Sequence, residues 1–275
     1  MFVKPLEKYG YDDIATLLSE AGFDGADISF RKNGLIVPET AGVELPKAIK
    51  ALEKKNLSVP MVVSEITSPK EPETEDMIRI MVDNGVKYYR LGAINYDKKQ
   101  SIRKHLDILK TRMSELCELN ARHNIHGAIQ NHAGMGLGAP VWDACYVVQD
   151  CDPKYLGIQY DVRHAVAEGM GSWPLALEMA LDYIHTTCIK DFAWIPNEKK
   201  FRPLTVPLGE GIVDFDKYFE ILKMRNITAP VSIHYEYSLL NESQANYSIA
   251  EQMKCIIPKL KHDLVTYKEM SNKKV

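Results

Sequence analysis

Several features are missing from this chain, and each absence narrows what it can be. No apolar run approaches the length that crosses a bilayer, so no membrane-spanning role is expected. No Gly-x-Gly-x-x-Gly turn follows a strand pattern, so nothing points to a dinucleotide. The glycine-rich stretch GMGLG at 134–138 lacks the lysine and hydroxyl of a phosphate-binding loop and reads as a flexible loop. The five cysteines are odd in number, scattered, and form no Cys-x-x-Cys pair. That excludes a disulfide framework or a zinc finger and suits a reducing compartment. Basic residues do not predominate: 34 Lys and Arg face 37 Asp and Glu, for a net charge of −3. Neither nucleic acid nor an anionic membrane is therefore an expected partner. The opening MFVKPLEKYG lacks the basic-then-apolar pattern of a secretory signal. The expected compartment is the cytoplasm, which a signal peptide removed beforehand would change.

What is present is an alternation. Of 275 residues, 45% are hydrophobic, enough for one large core. Short β-type runs at 25–30, 59–66, 86–91, 127–131, 155–160, 183–189 and 231–237 alternate with helical patterns at a period of roughly thirty residues. Together with a stunted run at 2–4 they make eight strands, which predicts an α/β fold. The expected architecture is a single (β/α)8 TIM barrel over 1–275 with a short first strand. Residues 192–213 read as a long loop. A short first strand leaves a sheet edge needing cover, for which a homodimer is one solution.

The strands end on ionisable groups. The run at 155–160 stops on Asp161, with His164 three residues on; the run at 183–189 stops on Lys190 and Asp191. In α/β proteins that edge of the sheet holds the ligand. For either strand alone a capping aspartate or a solvated loop charge is the better explanation, since Asp is a common cap. Both together favour a site. Of eight histidines, His105, His123, His126, His185 and His262 fall in helical or early-strand positions and read as surface or core. His132, His164 and His234 fall at strand ends, beside Asp161, Lys190, Glu236, Arg90 and Glu65. Such a set can bind a divalent metal through imidazole and carboxylate. It can also move protons next to a carbonyl, with a cation offsetting the enolate charge. Arg31 and Arg90 read equally as an anion clamp or as salt-bridged rim residues. Trp142 and Trp194 suit an apolar wall for a sugar ring, whereas Trp173, at a helix start, suits packing.

AGFDGADIS, QNHAG, CDPKYLGIQYDVRHA, IKDF, PLGEGIVDF and SIHYEY occur in an order that resembles the sugar phosphate isomerase/epimerase superfamily, the xylose isomerase-like TIM barrels. The resemblance spans nearly the whole chain and looks closest to the inosose dehydratase type. It implies carbohydrate metabolism and a divalent metal (Zn, Mn or Mg) held by Glu, Asp, His and Glu from successive strand ends. Asp161 matches the Asp. The His position is Cys188, the last Glu position is His234, and the first Glu falls near Gln130 or Trp142, neither a carboxylate. Either another set binds metal (Asp161, His132 and His234, with His164 or Glu236), or the protein works without one.

The leading expectation is an enzyme, an isomerase or epimerase of a small unphosphorylated sugar or cyclic polyol working through an enediolate. Glu236 is the expected base, His164 the second acid/base or hydroxyl ligand, and Lys190 the electrophile. Arg31, Glu65, Arg90, Trp142 and Trp194 are the expected substrate contacts. The alternatives are a dehydratase acting on a keto-sugar or inosose, and a sugar-binding barrel that has lost catalysis. Endonuclease IV-like phosphodiester cleavage shares the Asp-x-x-His feature but wants a basic face.

Overall fold

The computed structural model describes residues 1–273. Seven parallel strands form one sheet in the order β1 (Gly25–Phe30), β2 (Ser58–Ser64), β3 (Tyr88–Arg90), β4 (His126–Gln130), β5 (Leu156–Asp161), β6 (Ile184–Ile189) and β9 (Val231–Ile233). The helices between them are α1 (Tyr11–Ala21), α2 (Ala41–Glu53), α3 (Thr74–Asp83), α4 (Ile102–His123), α5 (Val141–Val148), α6 (Val162–Gly169), α7 (Trp173–Ala180), α8 (Phe215–Met224) and α9 (Ile249–Asn272). Their apolar faces bury against the sheet, leaving Leu17, Leu18, Leu45, Ile78, Leu109 and Leu260 fully enclosed. This is the expected α/β TIM barrel, nearly closed.

Closure comes from the chain itself. The first strand is reduced to one bridging residue, Phe2, between β1 and β9. Its amide donates to the Ile233 carbonyl at 3.1 Å, while the amide of Asp27 donates to Met1 at 2.7 Å and that of Val3 to Asp27 at 3.0 Å. The edge expected to need a second subunit is thus covered by residues 1–3, so it gives no reason for a dimer.

Helix ends follow their local chemistry. Ser101 and Asp214 cap α4 and α8 through side-chain oxygens, and Ser248 with Glu251 closes a reciprocal box on α9. Gly22 ends α1 at φ 92°, a conformation that a Cβ disfavours. Among the described residues no helix is long and apolar enough to cross a membrane. Helix α9 runs to Asn272; Lys274 and Val275 lie outside the described residues.

Two expectations need correction. Residues 192–213 are not one loop. They begin inside an antiparallel hairpin, β7 (Asp191–Asn197) and β8 (Lys200–Val206), which turns at Glu198 with φ 54°. Pro196 and Pro203 disguised it by breaking the alternating pattern. In a two-stranded ribbon a proline can stand wherever its missing N–H faces solvent, so both are tolerated. The GMGLG loop is pinned rather than flexible: Gly134 N–H donates to Glu168 at 2.9 Å, Leu137 N–H to Ile94 at 2.9 Å and Gly138 N–H to Asp143 at 2.7 Å.

Candidate active site

The end of β5 is the centre of the mouth. Asp161 is fully buried, and β5 pairs with β6 so that Asp161 stands opposite Cys188. Its backbone is gripped by Asn131, whose Oδ1 accepts from the Asp161 amide at 2.7 Å while Nδ2 donates to its carbonyl at 2.9 Å. Asp161 does cap α6, its Oδ1 accepting from the His164 amide at 3.2 Å, so the capping reading is correct and incomplete. Its Oδ2 accepts from Gln130 Nε2 at 2.8 Å and lies 3.3 Å from Lys190 Nζ. Burial opposes ionisation of Asp161, but the ammonium of Lys190 and the neighbouring imidazoles outweigh it. They hold the carboxyl well below the usual carboxylate range.

Lys190, one residue beyond β6, has a side chain 1% exposed and donates to Glu236 Oε1 at 2.7 Å. Burial alone would discharge it; Asp161, Cys188 and Glu236 reverse that, and its pKa is raised. Strand β9 stops at Ile233, which leaves Glu236 on the following loop with a side chain 38% exposed. Burial raises the Glu236 carboxyl less than Lys190 lowers it, so it is ionised at neutral pH.

The two mouth imidazoles stack at 3.9 Å between ring centroids. Arg163 donates from Nη1 to His164 Nδ1 at 2.9 Å. A guanidinium cannot accept, so the neutral His164 ring carries its proton on Nε2. That Nε2 has no hydrogen-bond partner and lies 3.7 Å from Asp161 Oδ2. Burial, the largest influence, pushes His164 down to about 2, so it is neutral at working pH. His132 has Nδ1 2.9 Å from the Ala133 carbonyl, which can only accept; its Nε2 therefore presents a lone pair.

The remaining expected residues divide. Arg90 donates to Gln130 Oε1 at 2.6 Å and lies over the Phe2 ring; with Gln130 and His132 it lines a cavity of about 190 Å3 beside the mouth. Arg31 is half-buried, and among the described residues neither arginine makes an ion pair, which removes the salt-bridged reading for both. Glu65 accepts from the Lys32 amide at 3.2 Å. Trp142 is 52% exposed on the first turn of α5, and Trp194 stands in the hairpin against Phe192 at 5.4 Å. Trp173 packs in the core, as expected. Asp191 turns away from the mouth: its oxygens accept from the amides of Phe192, Gly209, Gly211 and Val213, fixing the PLGEGIV turn. Gly211 has to be glycine, since a Cβ there would meet Asp191 Oδ1 at 2.1 Å.

Sequence reasoning treated Gln130 only as a missing carboxylate and passed over Asn131 and Arg163. Gln130 joins Arg90 to Asp161, Asn131 sets the strand end, and Arg163 sets the His164 tautomer. The first two stand at the end of β4, where extending attention from ionisable groups to amides would have found them.

A sequence model of the xylose isomerase-like TIM barrel family matches residues 15–258. The chain belongs to this family. No curated protein sequence matches it. Among solved structures it is similar to the probable 3-DHS dehydratase AsbF of Bacillus anthracis, involved in petrobactin synthesis, at TM-score 0.70 and 15% identity over 95% of this chain and 96% of that one. It is also similar to D-psicose 3-epimerase of Clostridium cellulolyticum H10, solved with D-tagatose, at TM-score 0.73 and 11% identity over 99% of both chains. A third is a xylose isomerase-like TIM barrel protein of Mycobacterium smegmatis in complex with magnesium, at TM-score 0.64 and 15% identity over 94% and 92%. At these identities the likeness establishes the fold alone.

The magnesium in that relative poses a question of fit, and the donor set here answers it. Among the described residues no three His, Cys, Asp or Glu side chains are placed to hold a metal ion. The expected trio of Asp161, His132 and His234 is not brought together. His234 turns into the barrel, packs on Phe2 at 4.7 Å, and has Nε2 3.8 Å from Asp27 Oδ2. The residues present do not fit a metal.

Proposed function

We propose that this xylose isomerase-like barrel abstracts a proton next to the carbonyl of a small hydroxylated ring or chain, as a sugar or cyclic-polyol isomerase or epimerase. The observation that carries the reading is the ion pair of Lys190 and Glu236, 2.7 Å apart at the mouth and tied to the buried Asp161. A carbonyl oxygen arriving at Lys190 Nζ displaces the Glu236 contact, which frees the carboxylate to take the adjacent proton. The ammonium then faces the oxygen that gains negative charge, in a site already oriented for it. His164, neutral and carrying its proton on Nε2, donates to a substrate hydroxyl; this favours the hydroxyl-ligand role over that of a second acid/base. His132 offers the lone pair for the second proton movement. Arg90, Gln130 and His132 line the adjoining cavity of about 190 Å3, which suits the non-reacting end of a carbohydrate. Arg31, Glu65 and Trp194 stay proposed contacts outside the residues that line this cavity, and Trp142 is the weakest of them, being solvent-exposed.

The similar epimerase and dehydratase structures support the same first step, proton removal beside a carbonyl. Water elimination is the second reading: the Nε2–H of His164 has no acceptor among the described residues, and a hydroxyl that reaches this buried donor would find it free to protonate the departing oxygen.

The test is solvent exchange. Incubation of D-tagatose, D-allulose or a keto-cyclitol in deuterated water should place deuterium at the carbon next to the carbonyl, and Glu236→Gln should abolish it. Loss of water from the product would favour the dehydratase reading. Binding of these sugars without exchange would leave a sugar-binding barrel and sink both catalytic readings.

A further inference from the structure

The Asp161 carboxylate is already engaged by donors. Oδ1 takes the His164 amide at 3.2 Å, Oδ2 takes Gln130 at 2.8 Å and lies 3.3 Å from the Lys190 ammonium, and Cys188 stands opposite Asp161 across β5 and β6. The neighbours are turned the wrong way for a cation. Gln130 presents its N–H to Asp161 and gives its oxygen to Arg90 at 2.6 Å. Cys188, fully buried opposite Asp161, puts a soft sulfur where the resemblance implies an imidazole, a poor match for a hard, oxygen-seeking cation. Between the two carboxylates, where a divalent ion would bridge Asp161 and Glu236, stands Lys190 Nζ. A metal entering there would meet a fixed positive charge in a desolvated site, where like charges repel most strongly.

We propose that the ammonium of Lys190 takes the place of a divalent cation in this mouth, so that the site neither requires nor admits one. The role this gives the ammonium in turnover rests on the proposed enolisation; the exclusion of a metal does not. Three features cooperate in it: an amide at Gln130 where a second carboxylate would repel Asp161, a buried thiol at Cys188, and a lysine side chain long enough to bring its charge to the strand end. An ammonium differs from a metal in donating directed hydrogen bonds and in having no coordination sites to expand. The substrate oxygen therefore binds singly, by exchange with Glu236, and not as a chelate of two adjacent oxygens.

Mn2+ is the probe. In a titration followed by electron paramagnetic resonance, the full-length protein should leave the signal of free Mn2+ unchanged at millimolar concentration. Lys190→Ala should take up one Mn2+ between the freed carboxylates, and adding Asp161→Asn should remove that binding. One Mn2+ bound by the wild type and lost in Asp161→Asn would overturn the proposal, as would a folded Lys190→Ala protein that binds none. If circular dichroism shows Lys190→Ala unfolded, Lys190→Met keeps the packing without the charge, and the wild-type titration decides by itself. Deuterium exchange into D-tagatose should survive a chelator. Exchange that stops with chelator and returns with Mn2+ would also overturn it. Exchange absent under every condition would defeat the functional reading and leave the Mn2+ titration standing.

Discussion

The two ends of this barrel hold cavities of similar size and opposite character. At the N-terminal end a space of about 240 Å3 is lined by Met1, Asp24, Asp27, Ser58, Pro230 and Tyr267, among others; it has no lysine or arginine, and burial lowers the Met1 amine to about 6, so that it carries little charge at neutral pH. At the C-terminal mouth the smaller cavity, about 190 Å3, is lined by Arg90, Gln130 and His132, and Gln130 ties it to Asp161 and through it to the Lys190–Glu236 pair. Volume does not separate the two ends. Charges of opposite sign held together out of water mark where a reaction can be driven, because there each interaction is strengthened and already oriented. The difference follows from the fold: the loops after the strands carry long polar side chains into the mouth, while the turns before them mostly close the barrel.

The sharpest way to break this comparison is to remove the charge that organises the mouth. Lys190→Met leaves Asp161 buried without its cation, which should cost about 3–5 kcal/mol of stability. Exchange into the substrate should fall on the order of 1,000-fold. Chemical denaturation and the deuterium assay read the two effects separately; a stable, active Lys190→Met protein would remove the mouth's special status.

Asp161→Asn is the next largest. The amide would bring its own N–H donors against those of Gln130 and Lys190 and leave one unsatisfied, costing about 1–3 kcal/mol. Turnover should drop about 100-fold through the misplaced ammonium. Loss of stability with turnover intact would reduce Asp161 to a helix cap.

The third prediction contrasts buried imidazoles from the two ends. His164 at the mouth is lowered to about 2, and His126, at the start of β4 on the opposite side, to about 4, in both cases chiefly by burial. Below the ordinary value of 6.5 the unfolded chain takes up protons that the folded protein refuses. Stability is therefore full above pH 6.5 and falls with decreasing pH, through about 4 for His126 and on towards 2 for His164, by several kcal/mol. The lowered carboxyl of Asp161 adds a loss of the same sign at more acid pH. His126→Phe should make the dependence between pH 6.5 and 4 shallower, leaving the share of His164, and should leave exchange unchanged. An unaltered slope in denaturation midpoints against pH would show that His126 is protonated in the folded state.

How much of this was legible in the sequence depends on the distance over which each feature is determined. The barrel was, because apolar periodicity and strand length act within a few residues. So were Asp161, Lys190 and Glu236, since polar residues that close the apolar runs of neighbouring parallel strands must fall on one edge of the sheet. The hairpin was hidden because Pro196 and Pro203 make their sense only when paired across it with Phe201 and Trp194. His234 looked like a mouth residue by position; its ring instead packs on Phe2 and lies beside Asp27, both more than two hundred residues away in sequence. The family's metal positions could be read as changed, but not that Lys190 stands between the two carboxylates, because that depends on how far a flexible side chain reaches.

The smallest expected effect tests the other half of the comparison. If the N-terminal cavity is only space left where strands begin, filling it should change little. Ala229 is half-buried in its wall beside Pro230, and Ala229→Val adds two methyl groups towards that space. Stability should shift by less than about 1.5 kcal/mol in either direction, according to whether the added carbons fill the void or crowd it. Exchange at the mouth, at the far end of the strands, should stay within twofold, as is usual for sites that share no partner. A fall in exchange without a fall in stability would mean that a ligand at the N-terminal end is felt at the mouth. The continuous path for it would be the polar layer inside the barrel, where Ser232 donates to Asp27 at 2.7 Å and His234 stands 3.8 Å from the same carboxylate. Ser232→Ala would then reproduce the effect by cutting that path; failing this, the two ends act independently and the chemistry belongs to one of them.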